Sequence, residues 1–209
     1  SPDMLRVGYV GKLIEGVEVR FMEDGEITVK GHNVMLGYYK DPEKTDEVLK
    51  DGWFHTGDIG RMDDGFLKIT DRKKEMFKTS GGKYVAPQLL ENALKASLFI
   101  EQVMVIGDGK KHPSALVVPD PVAIEEWCKR HDLAFPGLAE IAHAPRIVER
   151  IEKDVNQLMS GFAKWEQVKV IRVLSEPFTI EGGELTPTLK LKRKPILAKY
   201  QDVIEAIYN

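Results

Sequence analysis

The sequence has 209 residues, with 43% hydrophobic and 30% charged side chains and a formal net charge of −3. That balance can bury a core, excludes a disordered chain and gives no global attraction to nucleic acid. One cysteine, Cys128, excludes an internal disulfide and any multi-cysteine metal site, and it reads as a small buried residue in a helix beside Trp127. No apolar run approaches membrane-spanning length and no signal sequence opens the chain, so a cytoplasmic protein is expected.

The opening SPDMLRVGYVG has no start methionine and enters a strand-like pattern at once, as a cut end would. Residues 18–22 and 26–30 alternate apolar with polar around Glu23-Asp24-Gly25, a hairpin signal, because Asp-Gly accepts the positive φ of a primed turn. Asp41-Pro42 is a cap and first turn for a short helix to about Leu49, with Gly52 ending it. Residues 53–58, WFHTGD, read as an aromatic-flanked turn, and Asp63-Asp64-Gly65 as a second hairpin turn. These first 70 residues are mostly strand, a marginal domain by surface-to-volume scaling that should belong with a larger partner.

Five consecutive charged residues, 71–75, follow. They cannot sit in a core, so this stretch is expected at a wet boundary where dihedral changes are cheap, as a hinge requires. Strand and helix then alternate. Pro87 opens a helix to about Ser97 with Leu89, Leu90, Ala93 and Leu94 on one face, and residues 103–106 pair with 115–118. Pro121 and Pro145 start further helices, the second with Ile147, Ile151, Val155 and Leu158 at helical spacing. Residues 168–174 form a β-branched strand and 177–188 a loop, before a basic run and a short amphipathic helix over 203–208.

Several residues could carry chemistry. An aspartate fixed like Asp58 in Thr56-Gly57-Asp58 can accept from a ribose diol, though most turn aspartates only make turns. Arg72 lies one hairpin later, where strand pairing could return it to Asp58; a solvated strand-end charge is its alternative. Ser80-Gly81-Gly82-Lys83 would let backbone approach a phosphate or slender ligand, or is simply a loop; it is no Walker-type P-loop, since the spacing is wrong and no strand directly precedes it. In residues 185–194, LTPTLKLKRK, a lysine could bridge two anions that must meet. A solvated basic face and a nonspecific RNA contact are the other readings. The histidines, His32, His55 and His112 among them, show no metal-ligand spacing.

Taken in order, GHNVMLGYY (31–39), WFHTGDIG (53–60), residues 67–87 and residues 185–193 resemble the AMP-forming acyl-CoA synthetases, in the adenylate-forming superfamily that also holds luciferases and peptide-synthetase adenylation domains. TPTLKLKR, with the insertion between Val118 and Val168, is most similar to the long-chain fatty-acid ligases. The resemblance implies an α+β chain: residues 1–72 as the β-rich end of the large domain's barrel, and 73–209 as a mobile C-terminal α/β domain. It implies ribose-binding Asp58 and Arg72, a hinge at Lys74, Gly81 beside the pantetheine tunnel, Lys83 near phosphate, and Lys192 as the catalytic lysine. The family usually has glycine before that lysine where this chain has Leu191, and Lys190 is the alternative.

The implied substrates are a fatty acid, ATP and CoA, with AMP as product, Mg2+ held mainly by the N-terminal part, no nucleic acid, and peripheral membrane contact compatible with fatty-acid chemistry. The family's phosphate loop and acyl pocket have no counterpart in this sequence, so the chain alone should supply hinge and lysine but no synthesis. Two alternatives are an adenylating enzyme for another acid or a carrier protein, and a non-catalytic basic binding module.

Overall fold

The computed structural model describes residues 5–209; Ser1 to Met4, part of the stretch expected to enter a strand at once, lie outside the described residues. From Leu5 to Gly16 there is one isolated bridge, Gly11 with Leu67, and the first strand begins only at Val17. The chain divides into two compact units, the first ending at Met76 and the second running Phe77–Asn209.

In the first unit, β1 (Val17–Phe21) and β2 (Glu26–Gly31) form the expected hairpin, but not through a primed turn. Only Gly25 takes a positive φ, +81°, and residues 23–25 make a three-residue loop closed by Met22 N–H to Glu26 O at 2.9 Å. α1 (Pro42–Val48) starts where its signals predict, with the Asp41 carboxylate accepting from Lys44 N at 3.0 Å. Gly52 does not end it. Asp51 and Gly52, φ +51° and +79°, instead turn β3 (Leu49–Lys50) into β4 (Trp53–Asp63).

β4 corrects a second expectation, because residues 53–58 are strand rather than turn. Along its eleven residues β4 has β2 on one edge, over 54–59, and β3 followed by β5 (Phe66–Arg72) on the other, over 53–54 and 58–63, so each part of it has a neighbouring strand on at least one side. Asp64 and Gly65, φ +50° and +80°, form the two-residue primed turn into β5. All pairings in this five-stranded sheet are antiparallel. Among its described residues Ile27 is the one fully buried apolar side chain, a slender core for a sheet of this size. Asp71 is fully buried, opposite Ile59 in the register, so the charged run is wet from Arg72 onward and not at its first residue.

The second unit opens with the short hairpin of β6 (Phe77–Lys78) and β7 (Tyr84–Val85), then α2 (Pro87–Leu94). Its main sheet holds β8 (Ile100–Ile106), β9 (Ser114–Pro119) and, parallel to β9, β10 (Val170–Val173). Val103, Val105, Ala115 and Val117 face one cluster with α2, α3 (Pro121–Arg130) and α4 (Pro145–Met159). Met104, Ile106, Leu116 and Val118 face the other, with Phe178, Leu185, α5 (Arg193–Lys199) and α6 (Gln201–Tyr208). Covering both faces explains why β8 and β9 read as unbroken apolar runs rather than alternating strands. Cys128 is buried on α3, as its helical setting suggests.

Three details differ from the sequence pattern. α2 stops at Leu94 and buries Glu91 with Leu90, while α4 buries Met159 rather than Leu158 as its fourth inward residue. The basic run is not a continuous solvated stretch: α5 begins inside it at Arg193.

Candidate functional site

In the first unit the β4–β5 register sets Asp58 opposite Arg72, and Arg72 Nε donates to Asp58 Oδ1 at 2.7 Å. The bend that aims Asp58 is built by its neighbours. Gly57 takes φ +71°, its N–H donates to Glu26 Oε1 at 3.1 Å, and its carbonyl accepts Lys73 N–H at 2.8 Å. Thr56 Oγ1 accepts the Asp58 N–H at 3.0 Å and donates to Ile27 O at 2.7 Å.

Glu26 is the buried anchor of this arrangement. It faces His55 Nδ1 at 3.1 Å and accepts from Lys73 Nζ at 2.9 Å, and Lys73 also reaches Asp24 Oδ2 at 2.7 Å. Burial pushes the Glu26 carboxyl up, but Lys73, His55 and the Gly57 N–H together outweigh it and hold it below the usual range. The Lys73 hydrogen bond lowers Asp24, and Asp24 and Glu26 raise Lys73 in return. Glu26, His55, Gly57, Arg72, Lys73 and Lys74 line a cleft of about 1000 Å³. Neither Glu26 nor Lys73 was singled out from the sequence; an acid directly after a Glu-Asp-Gly turn carries no sign of burial.

Gly81 and Lys83 sit together in the β6–β7 loop of the second unit. A two-residue strand does precede this loop, contrary to expectation. Thr79 closes it, its N–H donating to Lys83 O at 2.9 Å and its Oγ1 accepting Lys83 N–H at 3.2 Å. Gly82 takes the left-handed φ of +79°, whereas a Cβ at Gly81 would meet nothing nearer than Thr79 Oγ1 at 3.9 Å. Among the described residues nothing in the packing demands glycine at 81. Lys83 is exposed, with Nζ 5.3 Å from the Trp165 ring centroid.

Lys192 is the exposed N-cap residue of α5, its N–H donating to Glu184 O at 2.7 Å. Lys190 lies in the preceding turn, where Leu189 takes φ +59° and Thr186 exchanges hydrogen bonds with Lys190 N and O. Arg193 points inward to Glu91 and the Val105 carbonyl, which argues against reading the run as one basic face. Among the described residues no group of three or more His, Cys, Asp or Glu is placed to hold a metal ion, and no helix is long and apolar enough to cross a membrane.

Residues 75–209 match the family model of the AMP-binding enzyme C-terminal domain, and the chain belongs to that family. It is 43% identical over 98% of its length to the long-chain-fatty-acid–CoA ligase FadD15 of Mycobacterium tuberculosis, and 44% identical over its full length to long-chain-fatty-acid–CoA ligase 5 of Mus musculus. It spans about a third of each, 34% and 33%. Among solved structures it is similar to the A domain of the carboxylic acid reductase of Segniliparus rugosus, determined with AMP and a co-purified carboxylic acid. That likeness has a TM-score of 0.73 and 26% identity over 94% of this chain and 32% of the other. The mixed α+β fold expected from the sequence is the one found.

Proposed function

We propose that this chain is the hinge-and-lysine part of an AMP-forming long-chain fatty-acid–CoA ligase. The observation that carries the reading is the Asp58–Arg72 pair, which strand register assembles from residues picked out for ribose binding. Whole-length similarity to fatty-acid ligases supports it.

The residues present fit a nucleoside monophosphate. Asp58 holds one carboxylate oxygen to Arg72 and has lone pairs left for a ribose diol, while the half-exposed Arg72 has further donors for ribose or phosphate. In the whole enzyme a fatty carboxylate oxygen attacks the α-phosphorus of ATP, forming the acyl–phosphate bond as the bond to pyrophosphate breaks. CoA sulfur then attacks the acyl carbon, AMP leaves with the electron pair, and the thiol proton passes to solvent. Two anions meet in the first step, so a cation between them stabilises the transition state, and Lys192 is assigned that role. Gly81 is assigned to the path of the pantetheine thiol, Lys83 to phosphate and Lys74 to the hinge. Among the described residues no group of three or more His, Cys, Asp or Glu is placed to hold a metal ion, and Mg2+ is assigned mainly to the rest of the enzyme together with the acyl pocket. The enzyme is assigned to the cytoplasm, meeting its fatty acid at the membrane surface.

Loss of one electrostatic donor of this kind costs about 3–4 kcal/mol, roughly a hundred- to thousand-fold in rate. In the full-length enzyme, Lys192→Ala should lower acid-dependent exchange of pyrophosphate into ATP by that factor and leave CoA thioester formation from supplied acyl-AMP. Equal loss of both half-reactions would remove Lys192 from this role.

A further inference from the structure

Next to Lys192 the chain does something a surface loop has no need to do. β8 is an edge strand, and the outward N–H and C=O of Val105 are met not by another strand but by two charged side chains. Glu91 Oε1, from α2, accepts Val105 N–H at 2.8 Å; Arg193 Nη1, from the first position of α5, donates to Val105 O at 2.9 Å; and Arg193 Nη2 closes the triangle on Glu91 Oε1 at 2.5 Å. Glu91 is 5% exposed and the Arg193 side chain 18%. Burial pushes the Glu91 carboxyl up, against the pull of Arg193 and the Val105 N–H.

A second brace meets the same point from the other side. The Glu184 carbonyl accepts Lys192 N–H at 2.7 Å, and the buried Glu184 carboxylate accepts from Thr179 N at 3.1 Å and from Lys199 Nζ at 2.8 Å. α5 is thus fixed at its first residue by Glu91 and at its last by Glu184. A seven-residue helix has no stability of its own, so it starts where these contacts place it. Among the described residues Lys190 is hydrogen-bonded to Thr186 within an exposed turn, and Lys194 is an exposed residue of α5, whereas the backbone of Lys192 is braced toward the core on both sides.

We propose that Glu91 and Arg193 are positioning residues for Lys192, locking the start of α5 onto the edge of β8 so that the Lys192 ammonium leaves the surface from a fixed backbone. A buried ion pair at a sheet edge is a poor source of stability, since desolvation offsets its attraction, but it fixes one geometry among several. The inference rests on the reading of Lys192 as the adenylating lysine, and it selects Lys192 over Lys190 on structural grounds.

The test uses the full-length enzyme, reading pyrophosphate exchange and thioester formation from supplied acyl-AMP in Glu91→Gln, Arg193→Gln and Lys192→Ala, and in each of the first two combined with Lys192→Ala. The expected result for Glu91→Gln is a fall of roughly a hundred-fold in adenylation kcat, the scale of a one-ångström misplacement. KM for ATP and acid should hold, thioester formation should be spared, and the Lys192→Ala background should show no further loss. If melting shows that a single variant is unfolded, the same readings come from Glu91→Gln/Arg193→Gln, which leaves neither charge alone. An additive loss in the Lys192→Ala background, equal loss of both half-reactions, or wild-type adenylation in the Glu91 and Arg193 variants overturns the positioning role. Wild-type adenylation in Lys192→Ala overturns the parent reading instead, whatever the Glu91 variants do.

Discussion

At the scale of single residues, the charges that matter most are carboxylates the fold has taken out of water. Glu184 is 2% exposed and keeps its charge because Lys199 hydrogen-bonds to it; with the Thr179 N–H this outweighs burial and holds the carboxyl below its ordinary 4.5. A depressed carboxyl pKa means that the unfolded chain binds the proton more readily, so folding stability rises with pH across that interval. The contribution is complete above 4.5 and is lost as pH falls through the folded-state value. Urea melts of the chain should therefore show an acid-side loss of stability that is shallower in Glu184→Gln, which cannot titrate. An identical acid limb in the two proteins would mean that the Glu184–Lys199 pair does not govern it. Glu26 follows the same logic in the first unit, where it ties Lys73 and Gly57 to the bend beside Asp58.

At the scale of elements, the first sheet depends on close backbone approach. A Cβ at Gly60 would be driven into the Lys68 carbonyl and onto Ile27, the one buried aliphatic among the described residues of that unit. Gly60→Ala should destabilise the sheet by about 1–3 kcal/mol, the usual scale of overpacking. Gly161, by contrast, has open space around its would-be Cβ and no left-handed φ, so Gly161→Ala should be neutral or gain about 0.5 kcal/mol from a less flexible unfolded chain. Chemical denaturation of the two variants side by side checks the contrast; equal effects would mean that the β4–β5 approach is looser than it looks. The two Asp-Gly hairpins make a related point. Asp64-Gly65 adopts the primed turn its dipeptide signals, while Glu23-Asp24-Gly25 uses three residues and a single left-handed glycine. The dipeptide announces a reversal, but the register of the flanking strands decides which turn makes it.

For the whole molecule, the proposed function asks one chain to serve two half-reactions, with Lys74 assigned as the hinge. Residues 72–76 form a tight turn, Glu75 and Met76 N–H both donating to Arg72 O, and Lys73 is tied to Gly57, Asp24 and Glu26. Proline at 74 fixes φ, so Lys74→Pro in the full-length enzyme should slow complete acyl-CoA formation more than either half-reaction measured alone. Wild-type rates for the complete reaction would dissociate Lys74 from the hinge.

What the sequence by itself determined was whatever is encoded locally or by order: the hairpins, the proline-started helices, the two-faced apolar strands of the second unit, and the succession of motifs that names the family. Residues 53–58 read locally as a turn because their glycine and aspartate are turn formers; partner strands on the edges of β4 outweigh that preference. The charged run likewise hid a buried Asp71, and the amphipathic pattern of α2 concealed that Glu91 faces inward. Only tertiary structure could decide these. Glu91 and Arg193 stand 102 positions apart, and burial of a charge becomes tolerable only when its partner arrives from elsewhere in the chain, which no local pattern records.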